Sequence, residues 1–240
     1  MELLPDKYDM QARVAPAVVI LLPIMFCVCL LFPSLIDATS VLMGSIVVLA
    51  LSMLLASTTR NVGKRKEKHL FERWDGMPTV RFLRHLDTEI AEETKQRYHQ
   101  YLQANVPGFS PPTRELEFQD KERADRMYGS AVNWLRQQYG STSFVFSKNV
   151  AYGFARNLWG LKPLAITISL LSLAGSVIIV NHRYGLATKD VPVEAWCSIV
   201  IPVIFLYIWM FVVSSEWVHL QAKAYGIALL ETCDGVRQAS

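Results

Sequence analysis

The stretch Val14-Ala-Pro16-Ala-Val-Val-Ile-Leu-Leu-Pro23-Ile-Met-Phe-Cys27-Val-Cys29-Leu-Leu-Phe-Pro33-Ser-Leu-Ile36 decides how the rest of the chain is read. It runs 23 residues without an Asp, Glu, Lys, Arg or His. A bilayer core about 30 Å thick is crossed by roughly 20 helical residues at 1.5 Å each. Three blocks of the same kind follow, Ala38–Thr59, Pro163–Asn181 and Ala195–Ser215, of 22, 19 and 21 residues. Charged residues make up 19% of the 240-residue chain, against about 25% in a soluble domain, and the shortfall falls in these blocks. That pattern excludes a soluble globular enzyme. It predicts an all-α polytopic membrane protein with four transmembrane helices in two hairpins.

The segment ahead of the first block carries Glu2, Asp6 and Asp9 against Lys7 and Arg13. A secretory signal opens with net positive charge and has a shorter apolar run, so the first block is expected to stay as a helix. Cys27, Cys29, Cys197 and Cys233 form no C-x-x-C or Cys/His ligand spacing. Free packing cysteines are expected, with no metal and no cofactor.

Between the second and third blocks, Arg60–Lys162 holds 18 basic and 12 acidic residues and opens with Arg60, Lys64, Arg65, Lys66 and Lys68. The loops on the other side are Asp37 alone and His182–Glu194, where Arg183 and Lys189 face Asp190 and Glu194. Basic residues near span ends mark the cytoplasmic side. The chain therefore divides into a leader and first hairpin at 1–59, a cytoplasmic helical insert at 60–162, a second hairpin at 163–215 and a cytoplasmic tail at 216–240. A plasma-membrane location with both termini inside follows.

Within the insert, Asp75-Gly76-Met77-Pro78-Thr79 reads as a turn feeding a helix, with Pro78 in its first turn. That helix is expected to run to about Ala104 and stop at Asn105–Pro112. A second is expected over roughly Thr113–Gln138, and an amphipathic run over Lys148–Leu161. On a single helix, Leu83, Leu86, Ile90 and Tyr101 would face the core. Arg81, Arg84, His85, Lys95 and His99 would share the opposite side, with Arg73 and Trp74 just before them. Arginines beside an aromatic ring suit phosphates and stacked bases, so these seven are the candidate binding residues for an anionic ligand. An ordinary solvated charged face is the competing reading. The run Lys64–Lys68 suits topology and anionic lipid better than a ligand.

The span interiors carry no ionisable residue, which argues against a pump or ion-coupled carrier. Ser169, Ser172 and Ser176 recur at helical spacing, and Ser45 and Ser52 share the second block. Such faces let helices pack closely, and alternatively line a pore built by several copies. Glu216, past the last block, could ring a pore mouth. No nucleophile elbow, zinc-protease motif, P-loop or dinucleotide fingerprint occurs, so no enzyme is expected. His85 and His99, 14 residues apart on one helix, would lie about 21 Å apart and share no metal.

Four runs carry a resemblance: Tyr8-Asp9-Met-Gln-Ala-Arg13-Val-Ala-Pro16, Trp74-Asp-Gly76-Met-Pro78-Thr79-Val-Arg81-Phe-Leu83-Arg84-His85, Lys95-Gln-Arg97-Tyr98-His99, and Tyr152-Gly153-Phe-Ala-Arg156-Asn157-Leu-Trp-Gly160-Leu-Lys162-Pro163. With them the chain resembles a family of bacterial four-span proteins. In size and layout it is similar to membrane effectors of anti-phage defence such as the Hailong effector. The resemblance implies a homotetrameric ion channel, a nucleotidyltransferase partner, and single-stranded oligodeoxyadenylate as the ligand that holds the channel shut. The expected function is thus a homo-oligomeric channel gated through the insert by an anionic nucleotide or oligonucleotide. The alternative is a non-conducting scaffold whose basic insert docks a protein partner.

Overall fold

A computed structural model describes residues 6–185 and 190–235, without the side chains of 38, 56–62, 64 and 65. Glu2, Lys189 and the side chains of Arg60, Lys64 and Arg65 therefore lie outside the described residues. Among those described the chain is helical, with no strand. In chain order the helices are α1 (Lys7–Leu31), α2 (Ala38–Arg73), α3 (Pro78–Arg81), α4 (Glu92–Asn105), α5 (Arg114–Gln119), α6 (Lys121–Tyr139), α7 (Ser143–Gly160), α8 (Lys162–Tyr184), α9 (Val193–Val212) and α10 (Ser215–Leu230).

Three helices, α1, α8 and α9, are long and apolar enough to cross a membrane, at 25, 23 and 20 residues. This is the signature of a membrane protein. The fourth block lies on α2, whose described apolar stretch, Thr39–Leu55, is shorter than the other three. The chain packs as two units, one of Met1–Lys66 with Gly153–Val218 and one of Glu67–Tyr152 with His219–Ser240.

In the first unit α1, α8 and α9 pack on one another. Ser169 and Ser172 bond back to the carbonyls of Ala165 and Ile168, and Cys27 Sγ reaches the Ser198 carbonyl at 3.3 Å. Small residues at these positions let the three backbones approach, as packing in lipid favours. Ile20, Leu158, Leu161, Ala165, Trp209 and Val213 form a buried cluster at one end. There Asn157, fully buried, donates from Nδ2 to the Ala12 carbonyl at 2.6 Å. That carbonyl belongs to a π-turn over Met10–Val14. A second π-turn, Ile208–Val212, ends α9. At the other end, Arg183 donates to the Leu31 carbonyl and lies 4.8 Å over the Phe32 ring. A cation there answers the free carbonyls of the α1 C-terminus.

The second unit differs from the sequence expectation. The helix expected from Pro78 to Ala104 is broken: α3 ends at Arg81, the chain turns through 82–91, and α4 starts at Glu92. The helix expected over Thr113–Gln138 is two, α5 and α6, divided at Asp120. Leu83 is buried, but Leu86, expected in the core, is 69% exposed. The segment after His219 packs with the insert: Trp74 stacks on His219 with ring centroids 4.5 Å apart, and Arg136 Nε donates to Tyr225 Oη at 3.2 Å.

Candidate functional site

The Trp74–Thr79 run makes the turn its sequence predicts. Asp75 and Gly76 take positive φ, 61° and 121°, and Pro78 opens α3. Asp tolerates the left-handed region better than most residues, and Gly adopts it freely. The turn closes on Arg84. Arg84 donates from Nε and Nη2 to both oxygens of Asp125, at 2.8 and 2.6 Å, and from Nη1 to Asp75 at 2.9 Å. A Cβ at Gly76 would meet Arg84 Nη2 at 2.7 Å, so only glycine leaves room for the guanidinium. Lys121 pairs with the remaining Asp75 oxygen. Its hydrogen bond, with the charges of Arg84 and Lys121, holds the Asp75 carboxyl below its ordinary value despite partial desolvation.

The turn through 82–91 is held from inside. Both oxygens of the buried Glu117 accept from the His85 backbone N–H at 3.0 Å, and Tyr128 Oη donates to the same carboxylate at 2.8 Å. Lys95, 1% exposed, donates from Nζ to the Asp87 carbonyl at 2.6 Å and lies 3.7 Å from Glu92. His99 Nε2 pairs with the Leu83 carbonyl at 2.8 Å, and His85 Nε2 with the Pro112 carbonyl at 3.0 Å. Burial lowers the His99 pKa, so the ring is held neutral. Arg81 pairs with Asp87 at 2.9 Å.

These contacts redistribute the seven candidate residues. They do not share one helical face, because Arg81 ends one helix while Lys95 and His99 belong to another. Arg84, Lys95 and His99 are buried and hold the turn, and Trp74 is buried against His219. Arg81 is half-buried beside Asp87. Only Arg73 is exposed, and His85 lines a groove. The two histidine rings, expected 21 Å apart, meet edge to face at 5.1 Å, because the chain folds back between them. Their Nε2 atoms are occupied by carbonyls. Among the described residues no group of three or more His, Cys, Asp or Glu could hold a metal.

The groove, about 590 Å³, is lined by His85, Glu92, Gln96, Gln103, Ser110–Thr113 and Arg114. At its rim Glu92 pairs with Arg114 at 3.3 Å, and the His85 ring lies 3.9 Å from the same carboxylate. Sequence reading missed Arg114, Gln96 and Gln103. The Pro107-Gly108 stop just past α4 and the Pro111-Pro112 pair after it were the available signal, since residues 110–114 line the groove with Gln96 and Gln103 of that helix.

The pore candidates separate in the same way. Ser169, Ser172 and Ser176 are buried among the apolar helices of their own chain, and so is Ser52. Ser45 and Glu216 are exposed. Ser45 Oγ bonds back to the Val41 carbonyl at 2.8 Å. No protein-family model, curated protein or solved structure matches the chain.

Proposed function

We propose that this chain assembles with copies of itself into a membrane ion channel lined by α2 and gated by an anionic, nucleotide-type ligand at the second unit. Kinship with membrane effectors of anti-phage defence, the oligodeoxyadenylate ligand and the nucleotidyltransferase partner belong to the same proposal, as do the plasma membrane, the cytoplasmic insert and a fourth span on α2. The observation that carries it is the exposure of the apolar Thr39–Leu55 stretch of α2, where most of the residues other than Ser52 are uncovered. Val41, Leu42 and Met43 point in three directions about 100° apart, and all are more than half exposed. Ser45 and Ser52 share a face, closed at Ser52 and open at Ser45. Four helices from one copy enclose little, so a water path needs several copies around an axis, and α2 is the helix left free to face it. The serines of α8 are spent on packing. For the ligand, the groove beside His85 and Arg114 has the volume of a small-molecule site.

The test is ion flux through liposomes holding the purified protein, with and without single-stranded oligodeoxyadenylate. Ser45→Cys, with the exposed Cys29 changed to alanine, should lose most flux to a charged thiol reagent, whereas Ser172→Cys should not. Arg114→Glu should abolish the response to ligand. A folded oligomer that passes no ions under any condition would overturn the channel reading. One observation would then favour the scaffold. Phe118 and Leu86 of the second unit are 86% and 69% exposed, large apolar side chains that a protein partner would cover.

A further inference from the structure

Two lysines at the junction of α7 and α8 carry charge that no carboxylate answers. Lys66 Nζ donates to the Gly160 carbonyl at 3.0 Å and lies 5.1 Å from the centre of the Trp159 ring. Lys162 Nζ donates to the carbonyls of Val213 and Met210 at 3.0 and 3.3 Å. Neither has an acidic partner among the described residues. Both are half-buried. Desolvation lowers the Lys66 pKa, the behaviour of an ammonium short of counter-charge.

Their place in the fold is as telling as their charge. Lys162 is the first residue of α8, at the edge of its apolar length. Trp159 and Trp217 pack on the buried cluster of Leu158, Leu161 and Val213 just there. Lysine stems with ammonium heads beside indole rings are the composition of a membrane–water boundary. Pro163 and Leu164, next along the chain, are exposed and apolar.

We propose that this junction binds anionic phospholipids, with one headgroup phosphate against Lys66 and another against Lys162. Lys66 is anchored on the Gly160 carbonyl and Lys162 on the carbonyls of Val213 and Met210, with no anchoring group shared, so the two lysines address separate lipids. The phosphate supplies the missing counter-charge, and Pro163 and Leu164 give an acyl chain an apolar surface beside Lys162. A zwitterionic lipid brings a quaternary ammonium along with its phosphate and gains less from either lysine. The inference rests only on α8 crossing a bilayer and is independent of any conduction.

The experiment is native mass spectrometry of the full-length protein in detergent, titrated with phosphatidylglycerol or phosphatidylcholine, with inorganic phosphate and glycerol 3-phosphate as competitors. Phosphatidylglycerol should bind more tightly. Lys66→Gln and Lys162→Gln should each lose about fivefold, the worth of one basic residue at an anionic surface. Lys148→Gln should lose nothing, and Lys66→Arg should keep binding. Should Lys66→Gln not fold, Lys162→Gln and Lys66→Arg carry the test. Equal binding of the two lipids, or a preference unchanged in the double Gln variant, would overturn the proposal. Displacement by millimolar glycerol 3-phosphate or phosphate would overturn the lipid source and leave a soluble-anion site.

Discussion

Replacing Arg84 with methionine should release the turn at 82–91 while leaving the rest of the chain folded. The guanidinium side chain is 8% exposed and makes two short bonds to Asp125, itself 28% exposed. Breaking a buried pair from one side costs about 3–5 kcal/mol, because the abandoned charge stays desolvated. Asp125 keeps some water, which moves the expectation to the low end of that range or below it. The second contact adds little: Asp75 is 65% exposed and retains Lys121, and an exposed pair contributes about 0–1 kcal/mol. The net expectation is about 2–3 kcal/mol of lost local stability. At about 1.4 kcal/mol per factor of ten, amides in 82–91 should exchange roughly 30- to 150-fold faster. Hydrogen–deuterium exchange with mass spectrometry, on the whole protein in detergent, reads this directly. Asp75→Asn should move the same peptide by less than about fivefold, given the exposure of that pair. Arg84→Lys should recover little, since an ammonium cannot span both oxygens of Asp125 and reach Asp75 as well. An Arg84→Met protein whose 82–91 amides exchange within threefold of the parent would refute the claim that Arg84 holds the turn.

Two further outcomes follow from the packing. Gly63→Ala should destabilise the first unit by about 1–3 kcal/mol, as overpacking does, because the new Cβ would sit 2.7 Å from Asn157 Oδ1, and the Ala12 carbonyl ties that side chain in place. Thermal unfolding followed by tryptophan fluorescence reports it, and an unchanged midpoint would contradict the close approach. Acid should weaken the second unit through His99. Its folded pKa lies below the unfolded 6.5, so below that pH the unfolded chain binds more protons and stability falls, by up to about 1.4 kcal/mol per pH unit, until the folded pKa is passed. His99→Gln should flatten this slope between pH 6.5 and 5 in denaturant melts, and an identical slope in the variant would count against it.

The membrane character of the chain was legible because it depends only on which residues are missing. A block of 20 or so uncharged residues has few folded alternatives, and three such blocks are helices of spanning length. The Trp74–Thr79 turn was legible too, since Gly76 and Pro78 restrict the backbone whatever surrounds them. The break at 82–91 was not. Phe82, Leu83 and Leu86 sit at helical spacing, and nothing local forbids the helix from continuing. Distant groups end it: Glu117 takes the His85 N–H, Asp125 draws Arg84, and Lys95 fills the Asp87 carbonyl. One local sign was available. Asp87 Oδ1 accepts from the Glu89 N–H at 2.9 Å, a turn that competes with the helix, and Glu92-Glu93 supplies the acidic first turn of a new one. Placing all the cations on one helical face missed the fold for a related reason. A charge run does not reveal which carboxylates will fold against it, and here Asp75, Asp87 and Asp125 do.

The π-turn at Ile208–Val212 gives the chain a one-residue surplus. Its ladder closes from the Val213 N–H to the Ile208 carbonyl at 3.0 Å, five residues back where an α-helix would use four. Deleting a single residue from this turn would restore ordinary pitch, rotating everything downstream by about 100° and drawing it in by about 1.5 Å. The Val213 carbonyl would then leave Lys162, and Trp217 would swing away from the Phe154 ring it meets edge to face at 6.4 Å. Chain length at this spot thus acts as an angular setting, fixed by one amino acid whose side-chain identity matters less than its presence.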